Sequence, residues 1–330
     1  MRRSVTQNGS RKPGLYASGA TMTSPLDSIV RKIRERLHRR EARAVLDTPP
    51  AVPRDDGVIL FSMIGTRVLL PYLVAAKSFH GQLGRGRFAI LDDGTLTEGD
   101  RRILAEHLGD PEIRHIASVD VGPCPHGGTW ERLLTLLELR RDAYVIQLDS
   151  DTVTLGPVPE IAEAIGRGRS FTLRGDADSE LLPLPEVATR TPPQFHRDRP
   201  EAHVQGAIES VMGEVVIPGR EGLRYIRGCS GFAGFAPAAS GRALAEQFSV
   251  AAEELLGARR WAQWGSEQVT SNFVIANEPD PLPLPYDRYL NFWDRPLPAD
   301  AAFAHFIGTY RFHRGAYRDA TRRAIEALKR

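Results

Sequence analysis

YVIQLDSDTVTLGPVPE, residues 144–160, is the stretch on which the fold turns. Its first five residues are nearly all apolar, the pattern of a strand buried on both faces of a sheet. Asp149 and Asp151 follow at once, with only Ser150 between them. Two carboxylates this close destabilise each other unless something positive neutralises them. A hard divalent cation with oxygen ligands does so directly. When the protein gives Mg2+ or Mn2+ few ligands, water and phosphate complete the set, so the expected partner carries phosphate.

Working upstream, the same kind of strand recurs between helical segments. GVILFSMI (57–64), RFAILDD (87–93) and IRHIAS (113–118) read as strands. Between and after them, LPYLVAAKSF (70–79), TEGDRRILAEHL (97–108) and TWERLLTLLELRRD (129–142) read as helices, with Pro71 in the first turn of one and Thr97 capping another. Strands alternating with helices predict an α/β fold around a largely parallel sheet. In such sheets ligands bind beyond the carboxyl ends of the strands. A second acidic pair, Asp92 and Asp93, also falls at a strand end, as part of a ligand site or as an ordinary Asp-Gly turn. The Pro-rich stretches 182–200 and 279–298 read as surface loops.

Composition excludes several classes. The chain has 330 residues, 42% hydrophobic and 25% charged, as expected of a globular protein with a sizeable core. A net charge of +2 gives no ground for general nucleic-acid binding. Two cysteines, Cys124 and Cys229, make neither a disulfide framework nor a zinc site, and a reduced cytoplasmic setting is the expectation. No uncharged run reaches the ~20 residues of a spanning helix.

Charge is uneven along the chain. Residues 1–56 hold twelve Arg or Lys against six Asp or Glu. Residues 1–24 are small, polar and basic, the signature of disorder. From Ser24, a candidate cap with Pro25 behind it, a helix is predicted, with Leu26, Ile29, Val30, Ile33 and Leu37 at helical spacing. That apolar face either packs on the main domain or on another copy, or rests on a membrane surface through residues 25–44, which would make the protein peripheral at the inner face of the membrane. DTPPAVPRDDG (47–57) reads as a linker, so 1–56 forms a basic tail, helix and linker before a main domain at 57–330.

Six ordered segments resemble glycosyltransferase family 8, retaining enzymes of the GT-A fold that include glycogenin and bacterial lipopolysaccharide galactosyltransferases. TWERL (129–133) is similar to the family's Tyr-x-Arg-Leu segment, and YVIQLDSDTVTLGPVPEI (144–161) to its metal-binding strand. CSGFAGF (229–235) resembles its Asn-Ala/Ser-Gly segment, and WGSEQ (264–268) its Trp-Gly-Asp-Gln. LPLPYDRYLNF (282–292) resembles a Leu-Pro…Tyr-Asn stretch, and HFIGTYRF (305–312) the closing His-x-x-Gly-x-x-Lys. Three departures stand out: Cys229 for Asn, Glu267 for Asp and Arg311 for Lys.

The resemblance implies a GT-A fold with a mixed central sheet. It also implies transfer of a sugar from a nucleotide-diphosphate sugar, UDP-sugar above all, to a carbohydrate, lipid-linked or small-molecule acceptor, with retained configuration. It assigns Asp149, Asp151 and His305 to Mn2+ or Mg2+. Arg132, Gly231 and Arg311 fall to the donor, joined by Asp92 and Asp93 at the nucleoside. Glu267 and Gln268 fall to the reaction centre. The residues alone leave other readings open. His305, among Phe303, Phe306 and Ile307, also reads as a core histidine, and Glu267 and Gln268 as a solvated turn before a helix capped by Ser266. Trp261, Trp264 and Trp293 suit sugar stacking or a core equally. Ser62 to Gly65 is the stretch expected along the nucleoside. A non-catalytic binder of nucleotide sugars is one alternative. Another is a haloacid-dehalogenase-like phosphatase, which LDSDTV (148–153) also resembles; that class needs a downstream lysine, and none occurs between Asp151 and Leu328.

Overall fold

A computed structural model describes residues 25–330. The disordered reading of 1–24 and the Ser24 cap lie outside the described residues. The chain opens with α1 (Pro25–Ala42), then β1 (Val58–Ile64), α2 (Leu69–Leu83), β2 (Arg87–Asp92), α3 (Glu98–Leu108), β3 (Glu112–His115), α4 (Trp130–Leu139) and β4 (Tyr144–Leu148). It continues through β5 (Thr152–Thr154), α5 (Pro159–Gly166), β6 (Phe171–Arg174), β7 (Leu181–Pro183), α6 (Leu184–Arg190), α7 (Val204–Glu209), β8 (Arg224–Ile226) and β9 (Gly228–Phe235). α8 (Ala243–Leu256), α9 (Ala258–Trp261), α10 (Ser266–Ala276), β10 (Leu282–Pro283), β11 (Tyr289–Asn291), β12 (Phe303–His305) and α11 (Ala316–Leu328) complete it.

The fold is α/β with a mixed central sheet, as expected. Seven strands run in the order β3-β2-β1-β4-β9-β6-β10. β1 to β4 are mutually parallel, and β9 lies antiparallel between β4 and β6. The β1, β2 and β4 strands are buried on both faces, which explains their continuous apolar runs. α3 opens at the expected Thr97 cap, and the structure adds the reciprocal bond to Asp100 that makes it a capping box.

Two expected loops hold more structure than their prolines suggest. Residues 182–200 contain α6, with Pro185 in its first turn, and 279–298 contain β10 and β11. Proline is tolerated in a first helical turn and in very short strands, so it marks boundaries here rather than absence of structure.

The N-terminal helix forms, but its apolar stripe does not pack. Ile29, Val30, Ile33 and Leu37 are between 42% and 54% exposed. The helix docks instead through the opposite side, where His38 and Ala42 are buried, and it meets α11 and α2. Val45 is fully buried in the same core, and the expected linker is bonded to the domain through Ala51 N–H to His107 O (2.9 Å) and Arg54 N–H to Gly86 O (2.9 Å). Residues 42–54 are thus built into the main domain rather than standing apart from it. Among the described residues no helix is long and apolar enough to cross a membrane.

Candidate functional site

Three strand pairings assemble the site just beyond β4. In the β4–β9 ladder Leu148 faces Phe232, and the Asp149 N–H then donates to Gly231 O at 2.9 Å. After the Asp149–Asp151 turn, β5 runs antiparallel to β12, with Thr152 opposite His305. β12 in turn pairs with β11, which sets Asn291 opposite His305. Three-residue strands therefore bring His305, 154 positions away in the chain, against Asp151.

Ligand atoms of Asp149, Asp151 and His305 lie within 4.8 Å of one another. His305 Nε2 is 3.2 Å from Asp151 Oδ1 and 4.0 Å from Asp149 Oδ2. Metal–ligand distances of roughly 2.1 Å put octahedral ligands about 3.0 Å apart in cis and about 4.2 Å apart in trans, so this spacing suits one Mg2+ or Mn2+ with little adjustment. Asn291 fixes the imidazole behind it. Its Nδ2 donates to the carbonyls of Arg174 (2.8 Å) and Gly175 (3.2 Å), so its Oδ1 must face His305 Nδ1, 3.1 Å away. An acceptor there calls for a hydrogen on Nδ1, and the neutral ring then aims the Nε2 lone pair at the two carboxylates. Gly231 is needed beneath the ring, since a Cβ at that position would lie 2.3 Å from His305 Cε1.

The two carboxylates are not left to a cation alone. Arg132, from α4, pairs with Asp149 Oδ1, and Arg311 pairs with Asp151 Oδ2. Each aspartate thus gives its outer oxygen to an arginine and turns its inner oxygen toward His305. Burial works to raise the Asp151 pKa, but His305 and Arg311 outweigh it and hold it below the usual carboxylate range. Burial likewise works to lower the His305 pKa, and Cys229 and Asp151 outweigh it and raise it well above the ordinary value. Cys229 Sγ stands 3.2 Å from His305 Nδ1, sharing that hydrogen with Asn291.

On the Asp149 side, buried Arg132 also reaches Glu267 Oε2 (3.2 Å) and Ser230 Oγ (3.2 Å). Burial raises the Glu267 pKa, against the opposing charge of Arg132 and a 2.8 Å bond from the Thr129 hydroxyl. α10 is locked to α4 by Trp130 Nε1–H to Ser266 Oγ at 2.9 Å. That bond, rather than a capping role, is the task of Ser266; the cap of α10 is left-handed Gly265. Gln268 is half-buried, with its Nε2 donating to Gln205 Oε1 at 3.2 Å.

The remaining candidates divide. Asp92 is 1% exposed, and its oxygens are taken by Arg101 (2.5 Å) and by the Gly94 and Leu96 N–H groups. It holds the loop after β2, while Asp93 faces outward and accepts from the Thr95 hydroxyl at 2.6 Å. Ser62 is buried and donates to Leu148 O at 2.6 Å, so it ties β1 to β4. Trp261 is a core residue against Trp130 and Phe248; Trp264 is 70% exposed. Sequence reasoning missed Asn291, Ser230, Thr129 and Gln205. Asn291, Ser230 and Thr129 lie inside segments that carry the family resemblance, and that was their only signal; Gln205 had none.

No protein-family profile and no curated protein sequence matches the chain. Among solved structures it is similar to mouse xyloside xylosyltransferase 1 in its apo form, at 14% identity over 75% of this chain and 96% of that one, TM-score 0.44. It is similar to the galactosyltransferase LgtC in complex with donor and acceptor sugar analogs, at 13% identity over 80% and 95% of the two chains, TM-score 0.45. It is also similar to 47% of the bifunctional glycosyltransferase WbbM, at 12% identity over 78% of this chain, TM-score 0.46. At these values the likeness is one of outline alone.

Proposed function

We propose that the chain is a metal-dependent GT-A glycosyltransferase that moves a sugar from a nucleotide-diphosphate sugar, UDP-sugar by preference, to a carbohydrate, lipid-linked or small-molecule acceptor. The observation that supports this is the convergence of Asp149 Oδ2, Asp151 Oδ1 and His305 Nε2, with Asn291 holding the ring. When bound, Mn2+ or Mg2+ supplies Lewis-acid stabilisation of the departing diphosphate. Arg132 sits between Asp149 and Glu267 and fixes the distance between metal side and reaction side. Gln268 and Glu267 are our candidates for the sugar side. Gln268, the more accessible of the two, orients the substrate, and buried Glu267 acts through Arg132. Arg311, which pairs with the outer oxygen of Asp151, would be the guanidinium that meets the diphosphate. Asp93, exposed beside Gly65, is our candidate for the edge of the nucleoside site. Retention of configuration rests on the family resemblance.

The deciding experiment is isothermal titration of UDP and GDP with Mn2+ and with excess chelator, alongside assays of sugar-nucleotide hydrolysis. We expect Mn2+ to raise affinity and Asp151→Ala to abolish the gain. Equal binding with chelator refutes the metal assignment. Binding without any hydrolysis favours a non-catalytic binder. Release of phosphate from simple phosphomonoesters favours the phosphatase reading, although the cations that reach Asp149 and Asp151 are arginines rather than a lysine.

We infer a membrane-surface contact from α1. Its exposed apolar stripe is edged by Lys32, Arg34, Arg36 and Arg40, a charge pattern complementary to anionic lipid. Co-sedimentation with phosphatidylglycerol vesicles, lost on Ile33→Glu, is the expected result. Concentration-dependent dimerisation without vesicle binding would refute it.

A further inference from the structure

The inner side of α1 closes a cleft of about 590 Å³ beside Ser150 and Asp151. Arg31 and Arg39 of α1, Arg67 ahead of α2 and Arg311 all line it. Against these four guanidiniums stand Asp151, paired with Arg311, and Glu35, which pairs with Arg67 at 2.9 Å and with Arg39 at 3.9 Å. Arginine offers donors and no acceptor, so the cleft calls for a ligand rich in oxygen acceptors. Val68, Pro71 and Phe312 add an apolar and aromatic patch to the lining, a surface suited to a planar ring. Arg31 and Arg39 are two turns apart on the helix, a span of about 12 Å.

The cleft also has a direction. Asp149 leads through Arg132 to Glu267 and Gln268, whereas Asp151 leads through Arg311 into the cleft. A nucleotide sugar held by its diphosphate at Asp149, Asp151 and His305 has two ends. With its sugar toward Gln268, its nucleoside points into the cleft. We infer that α1 is the outer wall of the nucleoside-binding part of the donor site, with Arg31 and Arg39 reading the nucleoside; this rests on the transferase reading above.

The wall is anchored to the site it covers. His38 of α1 stacks on Tyr317 with ring centroids 3.7 Å apart and bonds to Thr321 Oγ1 at 3.0 Å. The Tyr317 hydroxyl donates to the carbonyl of Ser150 at 3.1 Å, inside the Asp149–Asp151 turn. α1 is therefore held in register with the metal-binding turn through two side chains. The segment that lies outside the family resemblance becomes the part that sets which nucleotide is accepted.

The test uses the full chain with Mn2+ and three probes: UDP, GDP and inorganic pyrophosphate. Arg31 and Arg39 are exposed, so Arg31→Gln/Arg39→Gln leaves the core untouched, which an unchanged melting temperature verifies. We expect the double variant to bind the preferred nucleoside diphosphate at least about tenfold more weakly, with pyrophosphate changed by less than about threefold. Unchanged affinity for UDP and GDP overturns the inference. Equal loss for pyrophosphate also overturns it, because that marks a diffuse charge effect. If the parent chain binds pyrophosphate as tightly as either nucleotide, the inference falls and the metal site stands. If the parent binds none of the three with Mn2+, the transferase reading falls and takes the inference with it.

Discussion

Replacing Asn291 by alanine tests whether the His305 ring is held for a metal. Asn291 is 2% exposed and makes three contacts, two to backbone carbonyls and one to His305 Nδ1. The substitution leaves those carbonyls without a side-chain donor and the ring without its preferred acceptor. An unsatisfied buried polar group costs about 1–3 kcal/mol, and Cys229 Sγ remains beside Nδ1, so a stability loss of about 2–4 kcal/mol is expected. Loss of a partner behind a ligating histidine lowers metal affinity about 10–100-fold, or about 1.4–2.7 kcal/mol. The two effects are read separately. Urea unfolding gives the first. Electron paramagnetic resonance of free Mn2+, titrated well below the melting temperature, gives the second. His305→Ala, which removes the ligand itself, sets the scale. If Asn291→Ala loses stability but keeps its Mn2+ affinity within about twofold of the parent, Asn291 only packs, and the argument for an aimed Nε2 lone pair is refuted.

Two further perturbations follow from buried charge. Arg132→Ala strands Asp149 and Glu267 with no cation between them, so stability should fall by about 3–5 kcal/mol in urea unfolding, and a loss under about 1 kcal/mol would remove Arg132 from the centre of the site. Lys77 is buried against the Thr48 hydroxyl (2.6 Å) and His107 Nδ1 (3.2 Å), and burial lowers its pKa from 10.5 to about 8. Between those values the unfolded chain binds more protons than the folded one, so the Lys77 penalty is full below pH about 8 and fades as pH rises toward 10.5. Lys77→Met should therefore stabilise the protein at pH 7 by about 2 kcal/mol, after allowing for the lost bond to Thr48, and should flatten the rise in stability across that window. Thermal melts from pH 7 to 10 of the parent and the variant decide it.

The sequence made the parallel half of the sheet legible because β1, β2 and β4 are buried on both faces and their apolar runs are unbroken. It hid β9, where GCSGFAGF is rich in small residues, because neighbours approach closely there: a Cβ at Gly234 would lie 2.2 Å from the Phe171 ring. β5, β11 and β12 are three residues each, too short for any period to show, yet they carry the register that brings His305 to Asp151. The apolar period of α1 was legible, but not which side docks. Its packed side uses His38 and Ala42, and His38 is covered by Tyr317 and Thr321, far along the chain.

The site itself was legible as a set of residue types and not as a charge balance. Asp149 and Asp151 in sequence pose a repulsion that a divalent cation would relieve. In the folded chain Arg132 and Arg311 already relieve much of it, and they come from positions on either side of the motif that local reading cannot connect. The cation's task is correspondingly narrower. It is not required for the two carboxylates to coexist; it is required only for their inner oxygens and His305 Nε2 to face one another without a proton. The raised His305 pKa means that a proton competes for Nε2, so binding of Mn2+ or Mg2+ by these residues should be weaker at lower pH. Metal binding should then be accompanied by proton release, which calorimetry in buffers of different ionisation enthalpy measures. Uptake with no proton released would mean that His305 stands apart from the ion, leaving Asp149 and Asp151 as its only protein ligands.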